Sequence, residues 1–241
     1  MVLSNNGVGI GSTGERIKIR YCQYPGEEEF ILEFFENKKG GGCVEMGAAD
    51  GIENSNSRKL IESLEWGALL VEPHPEYYAS LERLYKDNDS ITLKNVAVYN
   101  KRGSMSFHIY KDETAWLSKT STKDEIGGQV STLSTEFKER VIKKHGDQYI
   151  STIEVEVVTL ENILSSLKEV DFLSVDCEGV DMEVLISNDW EKYRPQLLCV
   201  ETSMPLNALE SFISKIKYTQ VFTSVGNMFF QPISSLVVSS L

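Results

Sequence analysis

Short apolar runs alternate with helical patterns along most of the chain. Residues 43–46 and 68–71 are apolar runs of strand length, and between them Leu60, Ile61 and Leu64 form an apolar stripe at helical spacing. Such runs, separated by helical patterns, are typical of parallel strands joined by crossover helices. The pattern predicts an α/β fold with one central sheet.

The second half of the chain repeats this alternation after a polar interruption. Strands are predicted over the apolar or alternating segments 91–98, 104–110, 153–160, 171–176 and 197–201. Pro75 suits the first turn of a helix, and another helical pattern begins at Val180. Segments 218–223 and 227–231, around Gly226, predict two strands that close the sheet as an antiparallel pair.

The length of the chain favours one domain. With 241 residues it can bury a sizeable core but is short for two full-sized domains. We expect an N-terminal arm over residues 1–20 and a single domain over residues 21–241. Residues 111–150 are polar, rich in Ser and Thr, and carry a short basic helical pattern at 136–145. They are interpreted as an insertion that forms a lid over the bound substrate.

The charge of the chain restricts its partners. Acidic residues outnumber basic ones by 36 to 24, a formal net charge of −12, which disfavours nucleic acid and anionic membranes as partners. No window approaches the ~20 apolar residues of a membrane-spanning helix. The four cysteines lie far apart without a C-x-x-C pair, so neither zinc nor a disulfide framework is expected. We predict a cytoplasmic protein, and the sequence leaves its oligomeric state undecided.

One glycine motif near the N-terminus lacks the context of a nucleotide site. Residues 9–14 match G-x-G-x-x-G, but no strand precedes them and residues 16–21 alternate like a strand. Without a strand-to-helix turn, backbone amides do not converge on a pyrophosphate. We interpret this segment as a flexible arm.

A second glycine turn has the expected context, because it follows a strand and leads into a helix. Gly47 lets the chain turn sharply, and Glu45 and Asp50 supply carboxylates that suit a cationic ligand. Ala48 and Gly51 complete the turn. The same carboxylates would repel a pyrophosphate, which argues against nicotinamide cofactors. A purely structural turn with a helix-capping aspartate remains an alternative.

The ends of the next two strands supply further candidates. Glu72 lies 25 residues after Gly47 and ends the second strand, where a carboxylate accepts from both hydroxyls of a ribose. Asn95, Val96 and Ala97 end the third strand and would flank an adenine.

Several of these segments together resemble the FkbM family of methyltransferases. They are CQY at 22–24, VEMGAADG at 44–51, NSNS at 54–57, VEPHP at 71–75 with Tyr78, and VDFLSVDCEG at 170–179. The resemblance covers roughly residues 23–201. It departs from the family at Ala49, where Asn is common, and at Met46, which replaces a branched residue.

This resemblance implies a class I methyltransferase fold. That fold is a Rossmann-like αβα sandwich whose mostly parallel, seven-stranded sheet has an antiparallel C-terminal strand. The implied cofactor is S-adenosyl-L-methionine, and the implied acceptor is a hydroxyl of a sugar, polysaccharide or natural product. The predicted cofactor-binding residues are Gln23, Glu45, Gly47, Ala48, Asp50, Gly51, Asn56, Glu72, Pro73, Asn95, Val96, Ala97 and Asp176.

The fourth-strand motif carries the predicted catalytic pair, Asp176 and Glu178. Methyl transfer to a hydroxyl needs alignment and a general base. The two side chains would point apart if the strand continued, but they share one crevice if Gly179 begins a turn, which we predict. Asp176 would then lie nearest the methyl donor, and Glu178 would act as the base or orient the acceptor. A divalent cation held by Asp176, Glu178 and Asp181 is conceivable but not expected.

Three functions therefore remain under consideration. The favoured one is an S-adenosylmethionine-dependent O-methyltransferase with a small-molecule or glycan acceptor. The first alternative is a non-catalytic interaction module on a methyltransferase fold. A nicotinamide-dependent oxidoreductase is less favoured, because Glu45 and Asp50 lie in the turn.

Overall fold

The computed structural model describes residues 8–10, 16–18, 22, 24–110, 131–202 and 204–233. The strands in these ranges are β1 (Val8–Ile10), β2 (Arg16–Lys18), β3 (Gly42–Met46), β4 (Gly67–Val71), β5 (Ile91–Lys94), β6 (Ala97–Val98), β7 (Gly103–Tyr110), β8 (Ile150–Val158), β9 (Phe172–Val175), β10 (Leu197–Glu201), β11 (Tyr218–Thr223) and β12 (Asn227–Pro232). The helices are α1 (Glu27–Phe34), α2 (Arg58–Leu64), α3 (Pro75–Tyr85), α4 (Thr135–His145), α5 (Leu160–Leu164), α6 (Asp181–Ile186) and α7 (Leu206–Lys215).

A seven-stranded sheet forms the centre of the fold, in the order β11-β12-β10-β9-β3-β4-β5. The five strands from β10 to β5 are parallel, and β12 runs antiparallel to both of its neighbours. This confirms the predicted mostly parallel sheet with an antiparallel C-terminal strand. The chain proceeds from β3 to β4 and β5 on one side and later adds β9 and β10 on the other. That reversal opens a crevice at the carboxyl ends of β3 and β9.

Side chains alternate between two hydrophobic cores, one on each face of this sheet. Val44 and Met46 of β3 pack in one core, whereas Cys43 packs in the other. The same alternation holds along β4, β9 and β10, because successive strand residues point to opposite faces. Both faces are therefore buried, as expected for parallel strands covered by helices.

The predicted strand over residues 91–98 divides into two elements. β5 belongs to the central sheet, whereas β6 pairs with β8 in a second sheet of order β6-β8-β7. Between them, the Asn95 side-chain amide donates to the backbone oxygen of Glu72 (2.8 Å) and also to that of Pro73 (3.3 Å). These side-chain bonds hold the chain where it leaves the sheet.

The arm and the insertion are described in part. Val8–Ile10 pairs with Arg16–Lys18 as two short antiparallel strands, so part of the predicted flexible arm has regular structure. Residues 111–130 of the predicted insertion lie outside the described residues, and the basic pattern in its second half forms α4. Within the described ranges, no helix combines the length and apolar character needed to cross a membrane.

Candidate active site

A cleft of about 810 Å³, its open mouth included, lies at the carboxyl ends of β3, β4 and β9. The structure brings together at this cleft eight of the predicted site residues, which are Gly47, Ala48, Glu72, Pro73, Val96, Ala97, Asp176 and Glu178.

Gly47 allows the end of β3 to approach the residues that follow β9. Its φ is +76°, a left-handed conformation that L side chains rarely adopt. A Cβ atom at this position would overlap the backbone oxygen of Asp176. The Asp176 backbone N–H in turn donates to the oxygen of Met46 at 3.2 Å. Glycine is therefore required at the junction of β3 and β9.

Glu72 links the glycine turn to the start of α3. Its Oε2 accepts from the backbone N–H of Ala49 (2.8 Å), and its Oε1 accepts from that of His74 (2.7 Å). The residue is only 5% exposed, and this burial raises the pKa of its carboxyl to about 7. Both oxygens keep a free lone pair, so Glu72 can accept further bonds from a ligand.

The bond between the Ala49 N–H and Glu72 also bears on the strained conformation of Ala49. Ala49 has a φ of +46°, and Asn tolerates this conformation better than Ala does. The family resemblance places Asn here, so the Ala side chain makes the turn more strained. The bond from the Ala49 N–H to Glu72 holds the turn in place despite this strain.

Glu45 does not line the cleft, which differs from the expected contact with a cationic ligand. Strand alternation turns its side chain to the face opposite Val44 and Met46, where it is 4% exposed. Its carboxylate accepts from the hydroxyls of Ser55 and Ser57 and from the backbone N–H of Asn56 (2.7 Å). Burial raises the pKa of Glu45, and the two serine hydroxyls oppose that rise. This geometry favours a role in holding the loop before α2.

Asn56 also stabilises the loop before α2. Its side-chain amide donates to Ser174 Oγ of β9 at 3.1 Å and contacts Cys199 Sγ of β10 at 3.6 Å. Asn56 is buried and does not line the cleft. The expected cofactor contact is therefore replaced by a bond that ties the loop to the central sheet.

Four further predicted cofactor residues also lie away from the cleft surface or outside the described ranges. Asp50 Oδ1 accepts from the backbone N–H groups of Ile52 (2.8 Å) and Glu53 (3.3 Å), which closes a local turn. Gly51 has a φ of +70°, and a Cβ there would press on Leu81 of α3. Asn95 binds the backbone as described above. Gln23 lies outside the described residues.

The predicted turn after β9 is confirmed. The strand ends at Val175, and Glu178 and Gly179 have φ angles of +51° and +90°. Asp181 stabilises the turn, because its carboxylate accepts from the backbone N–H of Cys177 (2.6 Å) and of Gly179 (3.2 Å). The carboxylates of Asp176 and Glu178 consequently face one crevice instead of opposite sides of the sheet.

The left-handed conformation of Glu178 is also held from outside the turn. The hydroxyl of Thr132 donates to the backbone oxygen of Glu178 at 2.6 Å, and the same hydroxyl oxygen accepts from the N–H of Ser134. Thr132 belongs to the predicted insertion and pairs with His108 of β7 through backbone bonds. Strained residues held by several partners are common at functional sites.

Glu201 joins the predicted pair as a third carboxylate. It ends β10, and one carboxylate oxygen from each of Asp176, Glu178 and Glu201 lies within 4.8 Å of the others. Burial, followed by the charge of Glu201, raises the pKa of both Asp176 and Glu178 well above the usual range. The third carboxylate is therefore Glu201 and not Asp181, whose oxygens are used in the turn.

Sequence reasoning missed one wall of the cleft. This wall includes Phe107 of β7 together with Ser131 and Leu133 from the middle of the predicted insertion. Tyr77 of α3 contributes on the side of Glu72. No motif marks these residues, and only the polar character of the insertion indicated that this segment approaches the site.

The strand order and the site together define the chain as a class I methyltransferase fold. A sequence model of the family described as "Methyltransferase FkbM domain" matches residues 45–220. Because this match covers most of the chain, the protein belongs to the FkbM methyltransferase family. Membership implies S-adenosylmethionine as the cofactor, as the sequence predicted.

Solved structures of methyltransferases resemble the chain at low identity. The methyltransferase FkbM from Methylobacillus flagellatus is 14% identical, with a TM-score of 0.49, over 79% of this chain and 43% of that one. A precorrin-6y C5,15-methyltransferase from Geobacter metallireducens is 9% identical, with a TM-score of 0.45, over 85% and 86%. TrmK from M. capricolum, solved with S-adenosylhomocysteine, is 7% identical, with a TM-score of 0.39, over 84% and 66%.

This chain thus spans less than half the length of the first of these structures. No curated protein matches the chain significantly.

Proposed function

We propose that the protein is an O-methyltransferase that transfers the methyl group of S-adenosylmethionine to a hydroxyl of a sugar, polysaccharide or natural product. The observation that carries this proposal is the meeting of Asp176 and Glu178 at the edge of the cleft. Both carboxylates lie beside the Gly47 turn, so an acid-base group and a cofactor-binding turn share one cleft.

The residues of the cleft fit the chemistry of this cofactor. Glu72 would accept from the ribose hydroxyls, and the turn at Gly47 and Ala48 would approach the amino-acid end. Val96, Ala97 and Phe107 provide an apolar wall of the kind that suits adenine. When bound, S-adenosylmethionine supplies an electrophilic methyl group on a positively charged sulfur.

Glu178 is the proposed general base. Its raised pKa makes it a better proton acceptor than an ordinary glutamate. The Glu178 carboxylate would take the hydroxyl proton as the acceptor oxygen displaces the methyl group from sulfur, so that the sulfur–methyl bond breaks and S-adenosylhomocysteine leaves. Asp176, held by the backbone bond to Met46, orients the acceptor in line with the bond that breaks.

The proposed partners follow from charge and chemistry. A formal net charge of −12 supports a small-molecule or glycan acceptor over nucleic acid or an anionic membrane. We also propose a cytoplasmic location, which is supported by free, buried thiols at Cys22, Cys43 and Cys199.

Calorimetric titration with S-adenosylhomocysteine, followed by transfer of labelled methyl onto a glycan panel, tests the proposal. We expect saturable binding and label on at least one hydroxyl-bearing glycan. Binding without transfer to any member would favour the non-catalytic interaction module. Binding of a nicotinamide dinucleotide but not of adenosylhomocysteine would revive the oxidoreductase alternative.

The affinity for S-adenosylhomocysteine is expected to depend on the ionisation of Glu72. An ionised carboxylate accepts hydroxyl hydrogen bonds more strongly than a protonated one. Because its pKa lies at about 7, affinity should rise about tenfold between pH 6 and pH 8 and level off above that range. Calorimetric titration at several pH values measures this dependence.

Two variants test whether Glu72, and not another carboxylate, causes this pH dependence of binding. Glu72→Gln should bind more weakly and lose most of the rise between pH 6 and pH 8. Glu82→Gln, at an exposed position of α3, should behave like the wild type. An unchanged pH dependence in Glu72→Gln would assign the titration to another group.

A further inference from the structure

The end of the cleft at which Glu178 would meet the acceptor hydroxyl, here called the acceptor end, is unusually acidic. The ends of β9 and β10 are neighbours, since Val175 pairs with Val200, and this brings Asp176, Glu178 and Glu201 together. Carboxylates at this spacing repel each other unless protons or a positive group join them. Bound protons or the positive group of a ligand can supply this compensation.

The cleft itself supplies no positive side chain among the described residues that line it. Its charged lining residues are all acidic, namely Glu53, Glu72, Asp176 and Glu178. The amino-acid end of S-adenosylmethionine carries one positive and one negative group, so it adds no net charge. The sulfonium adds a single positive charge against four or five carboxylates. Among the described lining residues, negative charge therefore still exceeds positive charge when the cofactor is bound.

Two polar atoms of the cleft lining also lack a partner. Asp176 Oδ1 and Ser131 Oγ are buried, and neither forms a hydrogen bond with a described residue. Buried polar atoms are rarely left unsatisfied. A carboxylate oxygen only accepts hydrogen bonds, so the missing partner of Asp176 is a donor.

An aromatic ring lies near the end of β10. The ring of Tyr24 contacts Gly226, whose backbone oxygen accepts from the N–H of Thr202, the residue that follows Glu201, at 2.8 Å. Burial, followed by the charges of Glu201 and Asp176, raises the pKa of the Tyr24 phenol. Its ring packs on Gly226, where an added Cβ would overlap it. Carboxylates combined with an aromatic ring suit an organic ammonium group, which binds to both.

A buried glutamate fixes the position of Tyr24. The backbone N–H of Tyr24 donates to Glu27 Oε2 at 2.9 Å. Glu27 Oε1 accepts from Ser224 Oγ (2.6 Å) and from the side-chain amide of Asn227 (2.8 Å). This network ties the segment before α1 to the turn between β11 and β12.

We infer that the acceptor carries an ammonium group near the hydroxyl that is methylated, as in an amino sugar, and that Glu201 selects for it together with Asp176 and Tyr24. The inference rests on the proposed function and names the class of its acceptor. Acceptors with a carboxylate or phosphate at the same place are excluded by repulsion.

The test uses the full chain saturated with S-adenosylhomocysteine and three probes that differ in one group. These are methyl glucoside, its 2-amino-2-deoxy derivative and methyl glucuronoside, titrated at pH 7.5 by saturation-transfer NMR. The amino glycoside should bind at least about tenfold more tightly than the neutral one, and the glucuronoside should bind most weakly.

Glu201→Gln should reduce the preference for the amino glycoside while it retains adenosylhomocysteine binding, which also reports that the variant is folded. Glu210→Gln, at an exposed position of α7, makes the same change of charge away from the cleft and should keep the preference.

Three results would overturn the inference without touching the proposed function, provided that adenosylhomocysteine still binds. Equal binding of the amino and neutral glycosides would show that the cofactor or protons satisfy the carboxylates. Failure of all three probes to bind would exclude this acceptor class. Tight Mg²⁺ binding that Glu201→Gln abolishes, without any preference for the amine, would identify a metal site.

Discussion

Replacement of Gly47 by alanine is expected to abolish cofactor binding and to destabilise the fold. The new Cβ would overlap the backbone oxygen of Asp176, so the ends of β3 and β9 would have to separate. The left-handed φ of +76° adds a further cost for any L side chain. Together these effects should lower the free energy of unfolding by roughly 3 kcal/mol or more.

Gly40→Ala is the matched control for this substitution. Gly40 has a φ of +68°, but a Cβ there would meet no atom within 4 Å. This variant should lose only the conformational contribution, about 1 kcal/mol, and should bind S-adenosylhomocysteine normally. Chemical denaturation and calorimetric titration of both variants measure the difference. Normal cofactor binding by Gly47→Ala would mean that the two strand ends need not touch.

Glu178→Gln is expected to lower the rate of methyl transfer by about 10²- to 10⁴-fold, the usual contribution of a general base. The amide keeps the size of the side chain but cannot take the hydroxyl proton. Affinity for S-adenosylhomocysteine should change little, because the base acts on the acceptor. Single-turnover transfer of labelled methyl to an acceptor found in the glycan panel measures the chemical step.

Glu169→Gln provides the control for this loss of charge. Glu169 is exposed and precedes β9 at the end of the strand away from the cleft. The rate of methyl transfer by Glu169→Gln should therefore remain within about twofold of the wild type. A Glu178→Gln rate close to that of the wild type would remove Glu178 from the role of base. Alignment by the cleft would then account for the proposed catalysis.

The sequence predicted the architecture because its patterns are local. The apolar runs gave the strands of the central sheet, and Pro75 begins α3 as expected. The antiparallel pair around Gly226 was also confirmed. The split between β5 and β6 was missed, since it depends on a bond from Asn95 to a residue 23 positions away.

The site was predicted less completely than the fold. Gly47, Glu72 and the turn at Gly179 were recognised because each lies at a strand end and has a local signature. Glu45 was placed at the ligand, but its carboxylate is used by the loop before α2. A strand that is buried on both faces shows no alternation of polar and apolar residues, so its sequence does not reveal which face each side chain occupies.

The amino-acid sequence alone determined the α/β class, the succession of strands along the chain and two positions at which a cofactor is expected to bind. Only the tertiary structure decided which carboxylates share the acceptor end. Glu201 meets Asp176 because β10 lies beside β9 in register, and Tyr24 is held at the turn before β12 because Glu27 binds both Tyr24 and Asn227. Apart from the bond between Tyr24 and Glu27, these contacts join residues that are 25 to 200 positions apart, and strand pairing, unlike periodicity, leaves no local pattern at such separations.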